Sequence, residues 1–394
     1  MELFWLEHKK LWRKKIVKIC VLLCFVYCVI FGSILLFQWF GFGSSDDYTS
    51  AFGNNFDGYT VIKDSQEYAL SFGGELTDET LQKIVSDYQQ MEADGMGEEL
   101  EKTDWQIVNN WLGTLYPELR DTSNYKTMIS YVDPDKLTGF YERRQQVLDE
   151  FLEVSGQVGA EKEFLHQIER KVEKPFHYEW VEGWSTLLGS MVADLGVVMA
   201  LFLGIVLSSL FAGEWHDNTS TLVLATRNGW GKIALVKILT GLAFTVELFA
   251  LLAVSNVISQ LFFMGTAGWD MPIQNIKLIA VAPMNMLQAE IYEYAFVLLG
   301  AIGFAGIVMF ISAAVKNNVL TLLLSLAVVY GPMMIAEYLP YEMQKALDLI
   351  PLVGSSTDIF RTNTFRIFGK LIWSPYLLIT IPVLIGILCM PFAI

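Results

Sequence analysis

The chain has 394 residues, 53% of them hydrophobic and only 18% charged, whereas globular chains carry about 25% charged residues. Apolar runs of about 20 residues, enough to cross ~30 Å of hydrocarbon as a helix, recur along most of its length, which excludes a self-contained soluble enzyme. The formal net charge of −15 also argues against nucleic acid as a partner.

The acidity is local. Between Gly43 and Trp184 stand 29 Asp/Glu and 12 Lys/Arg, a net charge of −17, and the rest of the chain sums to +2. In chain order, residues 1–15 mix apolar and aromatic positions (Leu3, Phe4, Trp5, Leu11, Trp12) with Lys9, Lys10, Arg13, Lys14 and Lys15. This pattern predicts an amphipathic elbow helix in the membrane interface. The first transmembrane helix is expected within residues 16–42; it lacks a small-residue cleavage site and should stay as an anchor rather than leave as a signal peptide. Cys20, Cys24 and Cys28 recur on one face of it, a spacing that favours helix packing over a metal relay, and Cys389 lies in the last span.

Residues 43–184 read as a separate acidic domain with no cysteine, so its own core must hold it together. Helical spacing from Leu76 to Met91 and from Pro134 to Val154 makes it mainly helical, with short strands expected around Tyr59 to Ala69. Residues 185–394 carry the second to sixth spans, near Leu187–Phe211, Ile238–Met264, Tyr294–Val315, Val319–Ile335 and Leu371–Pro391. The connections Gly265–Glu293 and Glu337–Lys370 are expected to dip into the outer leaflet. Basic residues counted over the short loops place the N-terminus in the cytoplasm and residues 43–184 outside the cell membrane. The fold class expected is an all-α membrane protein of six spans plus a mainly helical extracytoplasmic domain.

Catalytic signatures are missing. No Gly-x-x-x-x-Gly-Lys-Ser/Thr loop is present, so the chain does not bind ATP by that route. No histidine pair stands at zinc-ligand spacing, and no serine sits in a Gly-x-Ser-x-Gly turn. Two acids interrupt apolar runs, Asp194 in the second span and Glu247 in the third. A charge at the bilayer centre costs about 2.5–3.5 kcal/mol on insertion scales, so each is either a polar point on a translocation path or dimer seam, or a buried acid bonded to a neighbouring Ser, Asn or Trp.

The most informative segment is residues 212–232. It opens on Glu214 and runs through Asp217, Asn218, Thr219, Thr221, Leu222, Leu224, Thr226 and Arg227 to Gly229 and Lys232, with Lys237 following in the third span. An acid at a helix end, a short amphipathic turn and a basic return can bury a few apolar side chains in a partner's groove while both ends stay fixed to membrane helices. On pattern alone an interfacial loop anchored by Trp215 and Trp230 explains it equally well. The elbow, the six spans and this Glu-x-x-x-x-Thr-x-x-x-Leu…Thr-Arg-x-Gly-x-x-Lys…Lys loop resemble the type-2 permeases of ATP-binding-cassette exporters, in the subgroup with a large domain between the first two spans. The resemblance departs where a basic pair often follows the Gly, since Gly229 is followed here by Trp230, Gly231 and Lys232.

That resemblance implies a permease rather than an enzyme, paired with a second permease protomer in a homo- or heterodimer. Two copies of a cytoplasmic ATPase would dock on the loop; this chain would hold no cofactor, and ATP with Mg would sit on the partner. The expected cargo is a hydrophobic or amphipathic peptide or lipid-like compound moved outward. The rival expectation is an ATPase-coupled sensor or mechanotransmitter acting through the extracellular domain.

Overall fold

A computed structural model describes residues 2–39, 62–63, 66–67, 73–96, 105–121, 126–188, 192–216, 231–354 and 359–393 of the chain. It is mostly helical. Among the described residues, five helical segments are long and apolar enough to cross a membrane: Asp194–His216, Lys232–Met264, Met286–Val315, Asn318–Tyr338 and Ser374–Ala393.

Helix α1 (Glu2–Arg13) is amphipathic, burying Leu11 while Trp5 and Leu6 stay exposed. It leads into α2 (Lys15–Trp39). Val17, Cys20 and Cys24 recur at helical spacing on the buried face of α2 and pack against neighbouring helices. Ile16, Ile19, Leu22, Leu23 and Phe25 face outward, an arrangement that costs nothing only if the surroundings are themselves apolar.

The polar domain follows. Helix α3 (Asp78–Met91) starts at Thr77, whose hydroxyl accepts from the Thr80 N–H. Its Leu81, Ile84, Val85 and Tyr88 share one face and are buried. They pack with Trp111 and Leu112 of α4 (Trp105–Leu115), Phe140 of α5 (Phe140–Val154), and with Phe176 and Tyr178. Asp78 fixes the start of α5: its carboxylate accepts from Gly139 N at 2.7 Å and Phe140 N at 2.8 Å. An anion there satisfies two N–H groups that lack intrahelical partners and opposes the helix dipole. Helix α6 (Ala160–Glu169) packs beside α5. The described residues between 59 and 69 are helical rather than extended; the strand lies later, β1 (Gly74–Glu75) pairing antiparallel with β2 (His177–Tyr178). It forms only where the returning chain offers a partner edge.

The bundle consists of α7 (Val192–Leu207), the short α8 (Ala212–His216), α9 (Lys232–Met264), α10 (Met286–Val315), α11 (Asn318–Ile335) and α12 (Ser374–Cys389). Helix α10 is central, in contact with α7, α9, α11 and above all α12. Small residues permit that last contact. A Cβ on Gly303 would stand 2.3 Å from Pro382 O, and one on Gly386 would stand 2.4 Å from Gly303 Cα. Backbones meet directly, as expected where helices associate by close packing rather than by hydrophobic exclusion.

The connection 265–285 between α9 and α10 is woven into the polar domain. Trp180 Nε1 donates to Met264 O (3.1 Å), Trp111 Nε1 to Asn275 O (2.9 Å) and Asn275 Nδ2 to His177 O (2.8 Å). Two backbone carbonyls, Met264 O and Asn275 O, therefore find partners in the domain, and the domain's His177 O finds one on the connection. Past α11, the hairpin β3–β4 (Thr364–Ile367 and Lys370–Trp373) also reaches the domain, through Thr364 Oγ1 to Gln157 Oε1 and the Arg366–Glu161 pair. Leu371 to Trp373 are thus strand, and the last helix starts only at Ser374. The domain and the segment containing α8 lie at opposite ends of α7, with α1 at the α8 end, where Lys10 reaches Glu214.

Candidate functional site

Of the loop residues singled out from the sequence, Asp217, Asn218, Thr219, Thr221, Leu222, Leu224, Thr226, Arg227 and Gly229 lie outside the described residues. Glu214, Lys232 and Lys237 are described, and they form the two bases from which that loop runs.

The bases are pinned together. Helix α7 ends in a turn, and α8 restarts at Ala212. Such a break leaves carbonyls of one helix and N–H groups of the next without intrahelical partners. Ser312 of α10 satisfies both: its hydroxyl donates to Ser208 O (2.7 Å) and accepts from Phe211 N (3.2 Å) and Ala212 N (3.0 Å). Glu214 then faces back toward α9, where its Oε1 lies 2.7 Å from Lys237 Nζ and 3.6 Å from Lys10 Nζ. The Lys237 side chain is only 3% exposed. A buried ammonium needs several acceptors, and Lys237 also donates to Leu210 O at 2.7 Å and lies 5.3 Å from the Phe211 ring centre. Lys14 Nζ donates to Ser209 Oγ (2.9 Å), and Lys316 Nζ sits 4.0 Å from the Trp215 ring centre, a cation–π geometry. Five elements (α1, α8, α9, α10 and the turn into α11) therefore converge around Glu214 and Lys237.

Asp194 and Glu247 are not brought together. Asp194 is partly buried in α7, at the domain end. Glu247 accepts from Trp12 Nε1 at 3.0 Å and lies 3.2 Å from His8 Nε2, both on α1. Its partners come from α1 rather than from another of the long apolar helices.

Sequence reading missed three acidic or basic groups. Hydropathy starts the fourth span at Tyr294, whereas α10 begins at Met286 behind a reciprocal cap: Gln288 N donates to Asn285 Oδ1 (2.8 Å) and Asn285 N donates to Gln288 Oε1 (3.1 Å). The Asn-x-x-Gln spacing was the available signal. The earlier start draws Glu290 and Glu293 into the helix, 4% and 0% exposed. They stand one turn apart, and the Tyr294 hydroxyl sits beside Glu290 and Asn256.

Arg144 is the third. It is 0% exposed, with Nε donating to Leu278 O (2.7 Å), Nη2 to Ala280 O (3.2 Å) and Nη1 to Glu169 Oε1 (2.6 Å). Lys174 Nζ adds a second contact to Glu169 at 2.7 Å. Burial pushes the Glu169 carboxyl up, but the bonds from Lys174 and Arg144 outweigh it and hold it below the ordinary range. The sequence signal was the spacing Phe140, Arg144, Leu148, Leu152 along one helical face, which places an arginine in an otherwise apolar stripe.

Among the described residues no three His, Cys, Asp or Glu side chains gather as a metal centre would require. No protein-family model, curated protein or solved structure matches the chain.

Proposed function

We propose that the chain is the permease subunit of an ATP-driven ABC exporter, with residues 217–230 as the cytoplasmic loop on which a separate ATPase acts. The observation that carries this reading is the pinning of both loop bases through Glu214–Lys237 and Ser312 at the bundle end opposite the polar domain. A lever transmits force only if its ends are rigid, and here each end is held by buried polar contacts rather than by loop backbone. In this reading α1 is an elbow helix in the inner interface, α2 is a sixth span, and the acidic domain is extracellular. Helix α9 fits the same placement: 33 residues at 1.5 Å each reach about 50 Å, well beyond ~30 Å of hydrocarbon, so the end bearing Lys232 stands clear of the lipid.

Two ATPase copies and a second permease protomer complete the assembly. ATP and Mg belong to the partner, whose closure favours one permease conformation over the other by its differential binding energy. The cargo class is a hydrophobic or amphipathic peptide or lipid-like compound.

A second reading, mechanotransmission to the outside, is favoured by the grip of the polar domain on the 265–285 connection through Arg144, Trp111 and Trp180. Helix motion in that case moves the domain as well as any central path. The first test is co-purification with the product of a neighbouring ATPase gene, followed by vanadate-sensitive ATPase assay of Leu222→Asp/Leu224→Asp. Loss of assembly or of stimulated hydrolysis is expected; unchanged assembly and activity would remove the proposal.

A further inference from the structure

Glu293 is fully buried, and neither of its carboxyl oxygens has a hydrogen-bond partner among the described residues. A buried polar group without a partner is destabilising, and an ionised one more so.

Among the described residues of the elements packed on α10, no positive charge relieves it. The helices packed on α10 are α7, α8, α9, α11 and α12, together with residues 182–186 and 390–393. Helices α11 and α12 carry no charged residue, only Tyr330, Tyr376 and Cys389 as titratable groups. Helix α7 brings Asp194, residues 182–186 bring Glu182, and 390–393 bring none. Helix α9 brings Glu247, paired with α1, while its Lys232 and Lys237 lie at the far end beside α8, with Glu214 and His216. The nearest charged neighbour acting on Glu293 is Glu290, of the same sign. What does face the pair is oxygen chemistry: the Tyr294 hydroxyl, and Asn256 on α9 beside it.

We propose that Glu293 and Glu290, with Tyr294 and Asn256, form a binding site for one hard cation, a proton or a small metal ion, between α9 and α10 at the domain end of the bundle. The donor set is all oxygen, which suits H⁺, Na⁺ or Ca²⁺ and not a soft metal. Two adjacent buried carboxylates repel unless a positive charge is shared between them, and one cation relieves both the repulsion and the missing partner of Glu293. The site joins the two helices that leave the 265–285 connection, so its occupancy sets how tightly α9 and α10 hold together beneath the domain. It does not depend on the ATPase reading.

The test is the melting temperature of the full chain in lipid nanodiscs from about pH 5 to about pH 9, in choline buffer and with Na⁺, K⁺ or Ca²⁺ added. The wild type is compared with Glu290→Gln and Glu293→Gln. If the folded chain holds a proton that the unfolded chain releases, stability falls as pH rises; several degrees of loss are expected in the wild type and a flatter profile in either variant. Recovery by one metal at high pH, absent in the variants, identifies the metal form, and no recovery identifies the proton form. Equal pH slopes in wild type and variants without a metal effect overturn the proposal. Should neither variant fold, the wild type decides alone: stabilisation by a metal, or stability that falls as pH rises, supports the site, and the absence of both overturns it.

Discussion

At the domain end of the bundle, Arg144 directs its guanidinium to two backbone carbonyls and a carboxylate, with the Trp111 indole donating to Asn275 O of the same connection and that of Trp180 to Met264 O at the end of α9. At the opposite end, Lys237, Glu214 and Lys10 meet mainly side chain to side chain, and Lys10 is more than half exposed. Backbone acceptors held by buried donors admit one arrangement of the chain. Side-chain ion pairs are interchangeable, and exposed ones contribute only about 0–1 kcal/mol each. The polar domain is thus joined to the helices mainly through backbone carbonyls, while the loop bases combine backbone bonds from Ser312 and Lys237 with an ion-pair cluster whose Lys10 member is exposed.

The largest effect that would break this contrast is at Arg144. Arg144→Met leaves Glu169 buried with Lys174 alone and frees two carbonyls, so a loss of about 3–5 kcal/mol is expected. Thermal melting together with limited proteolysis of residues 265–285 checks it; proteolysis unchanged from wild type would show that the connection does not rest on Arg144. At the loop end, Lys237→Met should cost less, about 2–3 kcal/mol, because Glu214 keeps Lys10. A double-mutant cycle with Glu214→Gln should return a coupling of 0.5–3 kcal/mol in order of magnitude, roughly the range for groups in direct contact. Independent effects would mean that Glu214 and Lys237 do not act as a pair.

Between the two ends, Gly303→Leu forces apart backbones that touch at Pro382. Overpacking of about 1–3 kcal/mol is expected, read as a lower melting temperature, with Gly303→Ala milder. Acid titration gives the smallest and most specific signal. The Glu169 carboxyl is held below its ordinary value of 4.5 in the folded chain, so its contribution is fully present above that value. It is lost as pH falls below 4.5 toward the depressed folded value. The wild type should lose stability in that acid window, and Glu169→Gln should lose correspondingly less.

Much of this architecture is legible in the residues. The run of apolar segments, the amphipathic pattern of α1 and the helical spacing of α3 and α5 reappear as helices, because hydrophobic periodicity is a local property. Span starts were less legible. Glu290 and Glu293 made hydropathy start the fourth span late, although the Asn285–Gln288 cap sets the helix start four residues before the first of them. Of the candidate residues, Glu214 and Lys237 meet across 2.7 Å, while Glu247 turns to α1, a partner more than 200 positions away in sequence that no spacing rule could supply.

The sequence by itself determined that this is a chain of several bilayer-length apolar helices interrupted by one acidic block, because composition and periodicity act within a few turns of backbone. Only the tertiary structure decided that the 265–285 connection belongs to the acidic domain, that Gly303 and Gly386 bring two helices into backbone contact, and that two glutamates lie buried without a counter-charge. Each of those depends on which distant groups arrive within a few ångströms, and hydrogen bonds, steric contact and desolvation are all settled at that range.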